Sequence, residues 1–494
     1  MDDRATPDHG SAMRWFGLLL LLGIAAPHAA GALFDAVQAI RFPYEIAYGE
    51  GVVWEQAALL GGPRAYSADV GLPFVVFHYP PVYHLLVRAV GTLAPDLLAA
   101  GRIVSAFAMV VFAGTIGAIV WAATPGGTRE LRLGAAIAAG LLAMAVPNIR
   151  AVGLLMRVDM VANALGPLAL LVAFTGRPGL WRTVGALTLA TLAVFTKQTE
   201  LAAGLSIFGI LAWSRSRETV MAAALVGAAG AGVVAILQQT TGGGFMTHLI
   251  TYNLNRYDWA GWASRMLGET TNLPLALAIL GAGLMSIGRR GGGLGPDRTP
   301  LARAVLVYFA VSLLTIAGLG KSGASFNYLN GLYGAGVMVL GIGLVQLLSG
   351  RGREVAVGTG LAAIVAGWLA LQPVARLRQF LDTQDPVQQA LLVQAIADAD
   401  RPVLSDDMVL TIRAGKHVLV ESAIVTELAV TGRWDERPLI ELIREGGVAF
   451  VISEGRDLGD ARRSPGVLAA LNTAFPRVTQ VTGRHWLHRP AIDP

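Results

Sequence analysis

A chain of 494 residues that is 54% hydrophobic and 14% charged, with a mean hydropathy of +0.57, is too apolar for a soluble surface and reads as an integral membrane protein. It has no cysteine, which excludes a disulfide framework, a thiolate metal site, a cysteine nucleophile and an iron-sulfur cluster. The formal charge of +5 is small and is not gathered into a basic run interleaved with aromatics, which argues against a nucleic-acid partner.

The first apolar run, 14–34, is long enough to cross a bilayer, at about twenty residues. Arg14 before it and small residues after it also give it the look of a signal peptide, but its length favours a retained span. A long loop, 35–97, follows. Within it, FPYEIAYGEGVVWEQ (42–56) carries Glu45, Glu50 and Glu55. Glu50 lies between Gly49 and Gly51, where little bulk bars a substrate hydroxyl, and is the preferred general base. The alternative is that the three acids form the wet face of an interfacial helix. In FHYPPVYHLL (77–86) the paired prolines fix an extended entry and then a helix start. His78, Tyr79 and Tyr83 there are either sugar-hydroxyl ligands or interface aromatics.

Further apolar runs at 98–123, 131–147, 160–175, 180–196, 200–213, 219–238, 272–287, 301–319, 328–348 and 354–372 bring the prediction to about eleven spans. Arg129, Arg132, Arg177, Arg182, Arg215, Arg217, Arg289, Arg290, Arg298, Arg303, Arg351 and Arg353 fall in alternate connectors. Arg150, Arg157, Lys197 and Lys321 lie in short connectors of the other side, so the charge bias predicts a cytoplasmic N-terminus and an extracytoplasmic C-terminus. Several middle runs fall short of the roughly twenty residues a span needs, which sinks the outer charges into a wet cavity away from lipid.

Those charges are the remaining site candidates. In MRVDMVANALGP (156–167), Arg157 and Asp159 are two residues apart, which on a helix gives them different faces and separate tasks. Asp159 suits a sugar or assistance to the base. Arg157, with its planar fork, suits a phosphate or snorkels to the interface. Lys197 in FTKQTE (195–200) is a point charge for the same phosphate or a partner for Glu200. GLGKSGASFNYLNGLYG (318–334) places Lys321, Asn327 and Tyr328 in a glycine-rich connector that either wraps a ligand or simply turns. The eight histidines are scattered without ligand spacing, so no metal site is predicted.

Beyond Leu371 the composition turns polar, and short units such as RPVLSD, HVLVES and GVAFVIS alternate with helical stretches. The predicted organisation is a transmembrane unit over 1–375 and a small extracytoplasmic α/β domain over 376–494. No internal repeat of the kind that marks inverted-repeat transporters appears.

Taken in order, YGEG (48–51), HYPPVY (78–83), GRIVS (101–105), RVD (157–159), TKQT (196–199) and KSGASFNY (321–328) resemble elements of the polytopic GT-C glycosyltransferases. The likeness runs nearly full length and is strongest to the bacterial group that looks like protein mannosyltransferases and lipid A aminoarabinose transferases. It implies a GT-C-like, multi-span α-helical membrane protein of a bacterial inner membrane. It also implies a sugar donor on a polyprenyl phosphate embedded among membrane lipid, and a glycan, lipid or protein acceptor. No further cofactor and no metal is implied. Through TKQT it adds Gln198 to the substrate-binding residues. Relatives often carry an aspartate before the Tyr-Gly-Glu unit where this chain has Ala47, which leaves Glu50 as base with Glu45 next in line. The expected chemistry is attack of an acceptor hydroxyl on the anomeric carbon with inversion, while Arg157, Lys197 and Lys321 offset charge on the departing phosphate. A transporter or flippase using the same charges as a relay, and a membrane scaffold presenting the C-terminal domain, are the alternatives from other classes.

Overall fold

The computed structural model describes residues 9–213, 217–288, 299–375, 377–459 and 462–491, so Arg215, Arg289, Arg290 and Arg298 of the predicted connectors lie outside the described residues. Every predicted apolar run falls on helix. Among the described residues seven helices are long and apolar enough to cross a membrane: Ala12–Arg41, Leu97–Ala123, Arg217–Thr240, Trp259–Ile287, Pro300–Gly318, Phe326–Leu348 and Arg353–Ala370. An eighth candidate is a pair, Arg129–Ala145 and Pro147–Gly153, bent by 67°. Pro147 causes the break, since it has no N–H to continue the ladder and forces Val146 out of the helical region.

The runs read as spans four, five and six form shorter apolar helices, Asp159–Phe174, Leu180–Val194 and Ala202–Ala212. A helix rises about 1.5 Å per residue, so none of the three matches the bilayer alone. They pack against one another, Asp159–Phe174 also lies against Leu97–Ala123, and that long helix in turn packs closely on Arg129–Ala145. Small residues allow the close approach: a Cβ on Gly117 would fall 2.8 Å from the Ala136 carbonyl oxygen, and one on Gly140 would fall 3.0 Å from that of Ala113. The helix Asn330–Leu348 runs through the middle of this packing and is buried almost along its whole length.

Outside the bundle lie two helices of the first loop, Glu50–Leu59 and Val82–Gly91, and above them the C-terminal region. That region holds a mixed four-stranded sheet of β1 (Leu404–Ser405), β2 (Val451–Ser453), β3 (Arg477–Gln480) and β4 (Trp486–Arg489) in the order β1-β2-β4-β3. β1 and β2 are parallel; β4 is antiparallel to both β2 and β3, with Val451 opposite His488 and Thr479 opposite Leu487. Its apolar core is not its own. Phe74 and Val76 of the first loop, and Tyr252, are buried among Leu419, Leu428, Trp434 and Leu439. The Phe74 ring stacks on Trp434 at 5.7 Å, and the Phe74 amide donates to the Leu419 carbonyl at 2.8 Å.

Candidate functional site

The short helices decide where the charges meet. Asp159 is the first residue of its helix, Lys197 follows the end of Leu180–Val194, and Asn327 and Tyr328 form the turn that opens Asn330–Leu348. The first two of these helices are short, and their ends lie beside the turn that opens the third. Lys197 Nζ donates to Asp159 Oδ1 at 2.7 Å, and Asn327 Nδ2 donates to the same oxygen at 2.7 Å. Arg157 Nε stands 3.7 Å from Asp159 Oδ2, an oxygen that is buried and accepts no hydrogen bond. Tyr79 lies beside Arg157, and Lys197 Nζ lies 4.9 Å from the centre of the Tyr328 ring. The Arg157 side chain is 27% exposed, whereas those of Asp159 and Lys197 are buried.

A second tier adjoins this cluster. Gln198 Nε2 donates to the His78 carbonyl at 2.9 Å, and Asn253 Nδ2 donates to the same carbonyl at 3.2 Å. Lys321 Nζ donates to Asn253 Oδ1 at 3.3 Å. The His78 ring faces Glu421 of the C-terminal region at 3.9 Å, and Glu421 also accepts the Tyr48 hydroxyl. Of the predicted site residues, Asp159, Arg157, Lys197, Asn327, Tyr328, Tyr79, Gln198, His78 and Lys321 are therefore brought together.

Burial sets the electrostatics. It opposes charge on Lys197, but the Asp159 carboxylate outweighs it and holds the ammonium above its ordinary value. For Lys321 the balance goes the other way: burial, and then Lys197, outweigh the pull of Glu427 and lower it to about 8. Burial lowers His78 to about 3, aided by Lys321, so its ring is neutral. Near neutral pH two cations, Arg157 and Lys197, thus flank Asp159, and a third, Lys321, stands in the adjoining tier, near enough to Lys197 to feel its charge. Glu200 shares the neighbourhood of Lys197, and Arg157, whose side chain is partly exposed, carries a planar fork suited to gripping an anion with two parallel N–H groups.

Glu50, Glu45 and Tyr83 stand apart from the cluster, each engaged by its own surroundings. Glu50 is fully buried and both its oxygens are occupied. Oε1 accepts Arg102 Nε and the Met156 amide, each at 2.8 Å, and Oε2 accepts Arg102 Nη2 at 2.7 Å and the Ile46 amide at 2.8 Å. Burial raises its carboxyl, but Arg102 and the two amides prevail and hold it below the ordinary value. The flanking glycine does not admit a substrate either: a Cβ on Gly51 would fall 2.6 Å from the Cβ of Met408, which fills that space. Glu45 is sealed beneath the C-terminal region, pushed well up by burial and then by Asp407. Tyr83 is buried with its hydroxyl donated to the Gly101 carbonyl at 2.9 Å.

Sequence reasoning missed Arg102, Asn253 and Glu421. A signal existed for Arg102: an arginine six residues into a 27-residue apolar helix needs a buried anion. Its guanidinium also donates to the carbonyls of Ala39, Phe42 and Tyr44, so it pins the exit of the first helix as well as Glu50. Asn253 and Glu421 carry no such signal. Among the described residues no group of three histidine, aspartate or glutamate side chains is arranged to hold a metal.

The fold of this chain is shared by solved structures of two other proteins. In particular, the chain is similar to ArnT from Cupriavidus metallidurans. To the apo state it is 13% identical, over 94% of this chain and 97% of that one, with a TM-score of 0.57. To the form bound to undecaprenyl phosphate it is 14% identical, over 94% and 98%, with a TM-score of 0.56. It is also similar to the Archaeoglobus fulgidus oligosaccharyltransferase in complex with Zn and sulfate, at 12% identity over 92% of this chain and 71% of that one, with a TM-score of 0.50. No protein-family model and no curated protein matches the sequence.

Proposed function

We propose that this protein is a bacterial inner-membrane glycosyltransferase that moves a sugar from a polyprenyl-phosphate donor to an acceptor hydroxyl on the extracytoplasmic face. The observation that carries it is the gathering of Arg157 and Lys197 at Asp159, with Lys321 close to Lys197, on a fold that also holds undecaprenyl phosphate in ArnT. A lipid phosphate brings its charge to the outer boundary of the bilayer, where these cations lie at the ends of short helices. We place the N-terminus in the cytoplasm, on the arginine bias, and the C-terminal region outside.

In this mechanism the acceptor oxygen attacks the anomeric carbon from the side opposite the phosphate, and the bond from that carbon to the phosphate oxygen breaks. The sugar inverts and the polyprenyl phosphate leaves with its charge offset by the three cations. With Glu50 fully engaged, Asp159 Oδ2 is the carboxylate oxygen of the cluster free to accept, so the hydroxyl proton goes to it. The step as drawn calls on no cofactor beyond the donor.

The test is consumption of a polyprenyl-phosphate sugar by the purified full chain, with release of polyprenyl phosphate. Failure with a panel of such hexoses and pentoses overturns the proposal. Movement of the intact lipid-linked sugar across a vesicle without bond cleavage points to a flippase instead.

A further inference from the structure

Lys321, the third cation, lies in the turn between the short helices Thr315–Gly318 and Phe326–Leu329. It sits on a turn whose own fastenings are to residues 255–258. The Ser322 amide donates to the Arg256 carbonyl at 2.8 Å, Asn255 Nδ2 donates to the Ser322 carbonyl at 2.8 Å, and the Asp258 amide donates to the Gly320 carbonyl at 2.7 Å. The Tyr257 ring lies over Gly320, where a Cβ would fall 2.0 Å from it, so the two segments run as a paired ribbon. Asn253, the acceptor for Lys321 Nζ, lies just before one strand of that ribbon.

Glu427 grips this ribbon from outside. It lies on the helix Ser422–Val430 of the C-terminal region. Its Oε1 accepts the Arg256 amide at 2.7 Å and Arg256 Nε at 3.3 Å, and its Oε2 accepts Arg256 Nη2 and Ser322 Oγ, each at 3.1 Å. One carboxylate thus ties both strands, at Arg256 and at Ser322, the neighbour of Lys321. The Arg256 side chain is 57% exposed, and an ion pair that open to water adds little to fold stability. The bonds to the Arg256 amide and the Ser322 hydroxyl fix position, and they cross from the C-terminal region to the loop that carries the cation.

We propose that Glu427 is a positioning residue for the donor: it fastens the Lys321 turn so that the ammonium meets the lipid phosphate, which makes the C-terminal region part of the donor site. This rests on the transferase assignment above. It goes beyond it by giving the C-terminal region a task in phosphate binding.

The probe is undecaprenyl phosphate without sugar, bound to the purified full chain. Glu427→Ala and Lys321→Ala are each expected to weaken its binding about tenfold, and the double variant no more than Lys321→Ala alone, because Glu427 acts through Lys321. Glu427→Gln, which keeps an acceptor oxygen, recovers part of the loss, and in turnover the donor KM rises while kcat changes little. Ser322→Ala supplies a milder lesion should Glu427→Ala fold poorly, and its smaller loss also vanishes when Lys321 is alanine. Additive losses in the double variant, or unchanged binding by Glu427→Ala beside weakened binding by Lys321→Ala, overturn the inference and leave the transferase assignment standing. No binding by the unaltered protein overturns both.

Discussion

Two buried carboxylates stand at the outer face, each beside an arginine, and they differ in one respect. Glu50 and Arg102 are wholly enclosed, every oxygen of the acid is taken and the guanidinium is spread over three carbonyls besides. Asp159 is paired with Lys197 but keeps Oδ2 without a hydrogen bond, beside an Arg157 that reaches water. A saturated pair is a fastener, since a further ligand can only displace what it already holds. An unsaturated one beside an exposed cation has capacity left for substrate.

Isosteric substitutions at the two acids are the sharpest way to break this contrast. Asp159→Asn is expected to lower transfer from a lipid-linked sugar by about 10²- to 10⁴-fold, with thermal unfolding only modestly affected, because Tyr328 and Glu200 remain near Lys197. Glu50→Gln is expected to do the reverse. It strands a buried guanidinium, which costs about 3–5 kcal/mol of stability, while the molecules that stay folded turn over within a few-fold of the original. Equal rate losses in the two variants, once corrected for the folded fraction, would erase the distinction.

Arg157→Lys retains charge but loses the fork. It is expected to weaken undecaprenyl phosphate binding by about 1.5–3 kcal/mol, read by titration, if the grip is two-pronged. The smallest effect is in pH. Lys321, at about 8, carries its charge below that pH and sheds it above, so donor affinity should decline by a few-fold as pH rises through 8. Lys321→Arg should flatten that limb, since guanidinium does not titrate there. A limb that survives in the arginine variant assigns the titration to another group.

Much of this was legible in the sequence, and for a physical reason. Apolar runs must be helical in a bilayer, and all of them are. Arg157, Asp159 and Lys197 could be singled out because each lies at the end of a run too short to cross, where a charge without a task is costly, and Asn327 and Tyr328 because they stand in a glycine-rich connector. The span count was less secure, since the three short helices and the pair bent at Pro147 fail a simple length rule. Glu50 misled because glycines on either side read as room, whereas Met408 occupies that room and Arg102 arrives from within another helix. Glu421 and Glu427 were invisible for the opposite reason. They sit in an ordinary polar stretch, and only the docking of the C-terminal region brings them to Tyr48, His78 and Ser322.

The stacking of Phe74 on Trp434 bears on how the molecule is made. The loop that carries Phe74 and Val76 emerges early in synthesis, yet the apolar pocket that receives those side chains is built from residues 404–475. Until those residues have been made the loop has no shelter for them, so the newborn protein must wait with greasy side chains bare, the condition in which nascent chains recruit chaperones or clump. A stop codon after the last membrane helix would make that wait permanent, and quality-control proteases, rather than a loss of chemistry, would account for the missing activity.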